Sequence, residues 1–476
     1  MSLLAWLCQL SSSSLRYPHS TWGLRRSGSR QFVKHGIVRT SLDDRALKKS
    51  DPKPRLIVGI DAEQWVNEAW HLERAGLFVH DTENPMLWFI FCRLARLYGA
   101  AVAPLFVRSG AHVPGPRLDS SNSPVPPDHP IFDEMRKFVK AFGFGWHQAP
   151  AEALSELSLM NRLSHVDVVI SEDSDALVYG AAEVLRRVDY LGSGTITADA
   201  MQTQVISDVD LYPLTRGSML LVALLCGSGD LQPGVDGCEF EVAHKLSRTG
   251  LGDRLLDAAT TMGATAFRNY LNSWRKCVKR ELETNAKEVL DHPYITLSNN
   301  IDTSWPNLEV IKMFTNPITS ISEGIRFPAA VREAANLGEL ARLSEFHFSF
   351  GTPIGVLKEF ESRILPGVAM DALIQHTVGN ISTDELKNIA SITRFCPFSN
   401  RTETKYRMEV NLVPAINAVL NSLAGTRAPV DDVDVVAYVE NMPEVRAKWL
   451  GWKFSWSIAH AIVQEYLLSI VNCTQN

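Results

Sequence analysis

No apolar run in the chain approaches the roughly 18 residues that a membrane-spanning helix needs, so no membrane partner is expected. Cysteine is sparse and scattered: positions 8, 92, 226, 238, 277, 396 and 473 contain no C-x-x-C pair. These read as reduced intracellular thiols and argue against a zinc site. No internal repeat is visible, which removes solenoid architectures. The chain also lacks positive charge overall, since 47 Lys and Arg against 53 Asp and Glu leave a net charge of −6. Any contact with nucleic acid must therefore rest on local basic patches. Acid is absent from residues 1–42, where Arg16, Arg25, Arg26, Arg30, Lys34 and Arg39 lie around a serine run. Arg-rich, Ser-rich and acid-free is the profile of a mitochondrial presequence, and equally of a disordered basic tail or a misassigned first exon.

What is present is an ordinary globular composition. With 476 residues, 45% of them hydrophobic and 21% charged, the chain has room for two or three domains around a large core. The densest chemistry lies between Glu152 and Gly180. Ala153 to Leu163 are good helix formers, with Leu154, Leu157, Leu159, Met160 and Leu163 making a broad apolar face. Val166 to Ile170 is a short β-branched run that suits a strand buried on both faces of a parallel sheet. Glu172-Asp173-Ser174-Asp175 follows at the strand end, where open α/β sheets place their chemistry. In an extended segment Asp173 and Asp175 share one face. Paired carboxylates persist only if protons or cations neutralise them, and magnesium is the hard ion that suits them. Spacing alone leaves a second reading open, a surface loop whose acids cap a helix beginning near Ala176.

The run AFGFGWHQAPAEALSELSLMNRLSHVDVVISEDSDALVYGA, Ala141 to Ala181, resembles the internal motif of the flap-endonuclease/XPG family of structure-specific 5′ nucleases. It looks closest to the Holliday-junction-resolvase branch found in fungi. The resemblance implies an α/β nuclease core (PIN-like) over residues 51–215, with a mainly parallel sheet and flanking helices. A helix-hairpin-helix DNA-binding domain over 216–290 and a smaller α+β region over 291–476 follow, with 1–50 a basic N-terminal segment outside the core. It also implies a magnesium-dependent DNA endonuclease acting on 5′ flaps or Holliday junctions in nuclear repair or recombination. Two Mg2+ ions are expected, with Mn2+ able to substitute. The partner is branched or flapped DNA, and a dimer on four-way junctions is left open.

Site residues are carried over one motif at a time. Leu56 to Ile60 reads as a strand ending at Asp61, and Gly59-Ile60-Asp61-Ala62 resembles the family's first metal-binding motif. Ala101 to Val107 reads as a second strand. After it, Phe106-Val107-Arg108-Ser109-Gly110 places Ser109 where the family has a ligand Asp. A hydroxyl is a weaker magnesium partner than a carboxylate, and Arg108 beside it is expected to repel a cation. The Pro- and Ser-rich stretch from Gly115 to Pro130 reads as the loop over the DNA end. In Glu152-Ala153-Leu154-Ser155-Glu156 the first Glu is matched and Leu154 replaces the second, while Glu156 lies one turn further on. Gly227-Ser228-Gly229-Asp230 supplies the last matched acid. The candidate catalytic and metal-binding set is therefore Asp61, Glu152, Asp173, Asp175 and Asp230, five of seven family carboxylates.

Pro233 to Phe240 matches a hairpin of the form G-V-P-G-x-G through Gly234 and Gly237, with Asp236 and Glu239 as departures that place acid near a phosphate. From Val242 to Arg280 eight cations stand against Asp253 and Asp257. Lys245, Arg248, Arg275, Lys276, Lys279 and Arg280 are the candidate phosphate contacts, against the alternative of a solvated helix face. A different functional class remains open, a degenerate paralogue that binds branched DNA or a protein partner without cutting. Near the end, Trp449, Trp452 and Trp456 read as one buried helix face, with stacking on nucleic-acid bases as the alternative.

Overall fold

The computed structural model describes residues 37–41, 56–112, 125–187, 202–207 and 214–441, apart from 77, 79–82, 101, 172, 228–232, 378, 398–403, 411 and 431. Part of the loop from Gly115, Asp230 and the tryptophans at 449, 452 and 456 thus lie outside the described residues.

A seven-stranded sheet divides the molecule. Its strands are β1 (Ile37–Ser41), β2 (Leu56–Asp61), β3 (Val102–Arg108), β4 (Gly145–Gln148), β5 (Val168–Ile170), β6 (Glu183–Arg187) and β7 (Gln202–Ser207), in the order β1-β7-β6-β5-β2-β3-β4. Neighbours from β6 through β5, β2 and β3 to β4 are parallel. β7 runs antiparallel to β6, and β1 antiparallel to β7. Residues 37–41, assigned from the sequence to a segment outside the core, thus form an edge strand. The pairing partner lies at 202–207, and no local pattern announces so distant a partner.

The two-residue period of the strands sorts their side chains into two cores. Leu56, Val58, Ile60, Val102, Phe106, Val168 and Ile170 enter one, and Ile57, Ala103, Leu105, Val107 and Val169 the other. Helices Ala62–Arg74, Pro85–Gly99 and Ile131–Ala141 cover the first face. Helices Ala153–Arg162, Asp175–Tyr179 and Arg216–Cys226 cover the second, continuing into Phe240–Ser247, Leu251–Thr261 and Ala264–Thr284. Burial on both faces is why β2 and β3 read as continuous apolar runs. Helices Leu337–His347, Pro353–Arg363 and Val413–Leu420 put Leu340, Leu357 and Ile416 into the first core, so the later region completes that face. It also carries an antiparallel pair, β8 (Ala390–Pro397) and β9 (Thr404–Val410).

Candidate active site

The acids gather at the C-terminal edge of the parallel strands. Asp61 ends β2 and caps helix Ala62–Arg74, its Oδ1 accepting from the N–H of Glu63 at 2.9 Å and of Gln64 at 3.3 Å. Capping normally favours the ionised form. Here burial, and then the charge of Glu63, prevail, with Glu152 adding to them, and the carboxyl is pushed up to about 7. Burial and neighbouring carboxylates thus both oppose the ionisation of Asp61.

Ser109 lies just beyond the end of β3. Its hydroxyl donates to Glu63 Oε2 at 2.7 Å and accepts from Ala153 N–H at 3.1 Å. The backbone there is held against the chain leaving β4, with Gly110 N–H donating to Ala151 O at 2.7 Å. A Cβ at Gly110 would stand 2.1 Å from Ala149 O, so only glycine allows this approach. Arg108, expected to repel an incoming cation, is held to one side. Its guanidinium stacks over Phe132, 4.3 Å from the ring centroid, and donates to Pro127 O.

Glu152 stands at the N-terminus of helix Ala153–Arg162 and accepts from the Tyr179 hydroxyl. Burial and the Glu152 carboxylate hold the Tyr179 phenol well above its usual range, with Asp175 and Asp173 adding to the effect. Leu154 is 3% exposed and belongs to the second core. Glu156 does not take over its role. It is fully buried, bonded to His147 Nε2 at 3.0 Å, and accepts from Ser320 N–H at 2.9 Å. Burial opposes its ionisation, but the bonds from His147 and Ser320 prevail and hold the carboxyl below its usual range.

Asp173 and Asp175 follow β5, but not in extended backbone. Asp173 Oδ1 accepts from Asp175 N–H at 2.9 Å, Ser171 Oγ accepts from Asp173 N–H at 3.0 Å, and Asp175 opens helix Asp175–Tyr179. A turn, not strand alternation, sets their directions. Glu172 and Asp230 lie outside the described residues.

Carboxylate oxygens are the donors a hard divalent ion prefers, so the chemistry of this edge suits magnesium. Among the described residues no group of three or more His, Cys, Asp or Glu is close enough to hold an ion. Asp61, Glu63 and Glu152 nevertheless share one electrostatic neighbourhood, as do Glu152, Asp173 and Asp175 around Tyr179.

Beyond the edge, residues 227–239 join helices Arg216–Cys226 and Phe240–Ser247. Gly234 presses on the helix end, where a Cβ would meet Cys226 C at 2.4 Å, while Gly237 takes φ +78°. Asn300 Nδ2 donates to Asp236 O at 2.8 Å. The candidate cations divide. Lys245 pairs with Asp291, Arg275 donates to Trp305 O, and Lys279 Nζ donates to Ile301 O at 3.0 Å. Arg248, Lys276 and Arg280 are exposed.

Sequence reasoning missed Glu63 and Tyr179. Glu63 was two positions past a recognised ligand, and Tyr179 closed the run Asp175-Ala176-Leu177-Val178-Tyr179 before a glycine. Neither position carries a periodic signal.

Residues 143–229 match the family model described as XPG I-region. Flap endonuclease 1 of Methanoculleus marisnigri is 28% identical over 120 residues, 24% of this chain and 36% of that protein. The flap endonuclease GEN homolog 1 of Mus musculus is 26% identical over 215 residues, 42% of this chain and 23% of that protein. The chain thus spans well under half the length of these curated relatives. A solved structure described as eukaryotic junction-resolving enzyme GEN-1 binding with sodium superposes with a TM-score of 0.63 at 22% identity, covering 82% of this chain and 88% of that one. Another, of the Holliday junction-resolving enzyme GEN1 with product DNA and Mg2+, gives 0.60 at 22% identity, with the same coverage. The I-region match spans β4 to the end of helix Arg216–Cys226, the very elements that carry Glu152, Asp173 and Asp175 to the sheet edge, and over this part the chain is similar to the flap-endonuclease/XPG nucleases.

Proposed function

We propose that the protein is a structure-specific DNA endonuclease that cuts branched or flapped DNA at this carboxylate edge, using divalent metal. The observation that carries the reading is the placement of Asp61 at the end of β2, of Asp173 and Asp175 after the neighbouring β5, and of Glu152 at the helix start held against Ser109 beyond β3, with Glu152, Asp173 and Asp175 inside the matched I-region. Asp61, Glu152, Asp173, Asp175 and Asp230 would hold the ions. Bound Mg2+ or Mn2+ supplies the Lewis-acid chemistry of phosphodiester hydrolysis.

The chain's own contribution is electrostatic and positional. Asp61 and Glu152 concentrate negative charge on a rigid strand end and a helix start, where it attracts cations. Tyr179 fixes one oxygen of Glu152 through its hydroxyl. The hairpin at 227–239 and the exposed Arg248, Lys276 and Arg280 are the elements offered to phosphates. Nuclear DNA is the expected substrate pool, with the mitochondrion as the alternative suggested by residues 1–42.

A second reading has its own support. Ser109 and Leu154 both depart from the family's ligand pattern while the apolar frame is intact, which is what a protein that binds DNA without cutting would show. Incubating the full chain with labelled 5′-flap and four-way-junction DNA in Mg2+ or Mn2+ separates the two. Cleavage that disappears in Asp173→Asn supports the nuclease; retained binding with uncut DNA supports the second reading.

A further inference from the structure

Two thiols meet at the base of the hairpin. Cys226 ends helix Arg216–Cys226 and Cys238 stands just before helix Phe240–Ser247, so they flank the connection between the two. The backbone folds one back towards the other. Gly227 and Pro233 form an antiparallel bridge, Val235 N–H donates to Leu225 O at 2.8 Å, and Cys238 N–H donates to Val235 O at 3.0 Å, which turns the chain back to the helix end. Gly234 allows this approach, because without a Cβ the chain can lie against Cys226. The side chains of Cys226 and Cys238 are hydrogen-bonded to each other. Both cysteines are free and half-buried, within reach of a small solute.

We propose that Cys226 and Cys238 are a redox couple that peroxide joins in a disulfide, a staple across the base of the hairpin that lowers the protein's affinity for DNA. The effect on DNA rests on the reading of this hairpin as a phosphate contact. The hydrogen bond with Cys238 holds the Cys226 thiol below its usual range against the opposing effect of burial. The same bond, with burial added, holds the Cys238 thiol far above its own. Cys226 is thus the sulfur that starts the reaction, because the thiolate is the nucleophile. It attacks one oxygen of the peroxide, the O–O bond breaks, and a sulfenic acid and one water result. The Cys238 sulfur then attacks the sulfenic sulfur. The S–S bond forms, the hydroxyl leaves, and with the Cys238 proton it becomes a second water. Two thiols have lost two electrons and two protons, and the peroxide has gained them. A disulfide holds its sulfurs at about 2.0 Å, closer than hydrogen-bonded thiols stand, so oxidation draws Cys238 towards the helix end. Gly237 and the start of helix Phe240–Ser247 follow, away from where the reduced chain offers its N–H groups to a phosphate.

The test treats the full chain with hydrogen peroxide, blocks the remaining thiols with an alkylating reagent and maps the peptides by mass spectrometry. Binding of 5′-flap DNA is measured before and after, without divalent metal so that the DNA stays whole. Peptides joined through Cys226 and Cys238 should appear, two hydrogen atoms lighter than the separate thiols. Affinity should fall by about tenfold, the contribution of one charge-assisted hydrogen bond, and return when a thiol reductant is added. Cys238→Ser should abolish both the crosslink and the response, whereas Cys277→Ser, which removes an exposed thiol elsewhere, should leave both. Peroxide that leaves Cys226 and Cys238 separately alkylated, oxidises them singly or pairs them with other cysteines overturns the proposal. So does the expected crosslink with affinity unchanged, or a fall in affinity that Cys238→Ser retains. If the reduced chain does not bind the flap DNA, the hairpin reading fails and the switch fails with it.

Discussion

Glu152 and Glu156 stand one helical turn apart, and they teach opposite lessons. Glu156 is sealed from solvent and answered on every side, by His147 at 3.0 Å and by the Ser320 N–H at 2.9 Å, so it stays ionised and holds two distant segments together. Glu152 faces Asp61 and the Asp173/Asp175 turn, and its field helps to raise the Asp61 carboxyl to about 7. A compensated carboxylate is architecture. An acid whose ionisation is opposed by burial and by neighbouring carboxylates is where a cation is favoured.

The largest test of that contrast is to put an acid on the wrong side of it. Leu154→Glu restores the family's residue type, but the side chain is 3% exposed within the second core. An unpaired charge there should cost about 4 kcal/mol, measured by urea unfolding, and should not improve metal affinity. A mild loss with tighter Mn2+ binding would show that position 154 opens onto the site.

Next is the compensated acid itself. Glu156→Ala leaves His147 and the Ser320 N–H without their acceptor and should cost about 3 kcal/mol, while Mn2+ affinity stays as it was. The depressed carboxyl also fixes a sign. Its stabilisation is complete above the ordinary Glu range and fades as the pH falls through the lowered value. The acid-side stability loss should therefore shrink in Glu156→Ala.

How much of this was legible beforehand depends on how local the cause is. β2, β3 and β5 announced themselves as short apolar runs, and the acids at their ends followed from the rule that places chemistry there. The fate of Glu156 did not, because Ser320 lies 164 residues away in sequence. Glu63 and Ser109 are 46 apart, and their contact depends on β2 and β3 being neighbours. Strand alternation misplaced Asp173 and Asp175, since a side-chain turn intervenes before the helix. The sharing of the first core between helices near β2 and the segment 337–423 was likewise invisible to patterns read one window at a time.

Asp61 gives a smaller effect with the opposite sign. The Asp61 carboxyl is raised to about 7 from an ordinary 3.8, so the folded protein binds a proton that the unfolded chain has released between those values. Stability from this group is full below about pH 4 and falls as the pH rises to 7. Asp61→Asn should thus stabilise the metal-free protein by about 2 kcal/mol at pH 8, and by little at pH 4. Its melting temperature should then respond less to Mg2+ than that of the unmodified chain. Destabilisation at pH 8 would mean that the acid is already compensated.

The smallest effect concerns DNA. Arg248, Lys276 and Arg280 are exposed, whereas Lys245, Arg275 and Lys279 are half-buried, so the first three carry the prediction. Neutralising these three should flatten the dependence of log affinity on log salt by up to about 0.9 for each DNA phosphate that is no longer neutralised. An unchanged slope would mean that DNA phosphates are bound elsewhere on the protein.

The central claim is that the acids at the ends of β2 and β5 and at the start of helix Ala153–Arg162 form a working metal site for cutting DNA. It is tested most directly by single-turnover cleavage of a 5′-flap and a four-way junction in Mg2+, comparing the unmodified chain with Asp173→Asn. The account predicts cuts at defined positions near the branch for the unmodified chain, a loss of at least about a hundredfold in rate for the variant, and equal DNA affinity for both. Intact DNA with the unmodified protein at saturating metal and protein, or cleavage that Asp173→Asn leaves untouched, would contradict it.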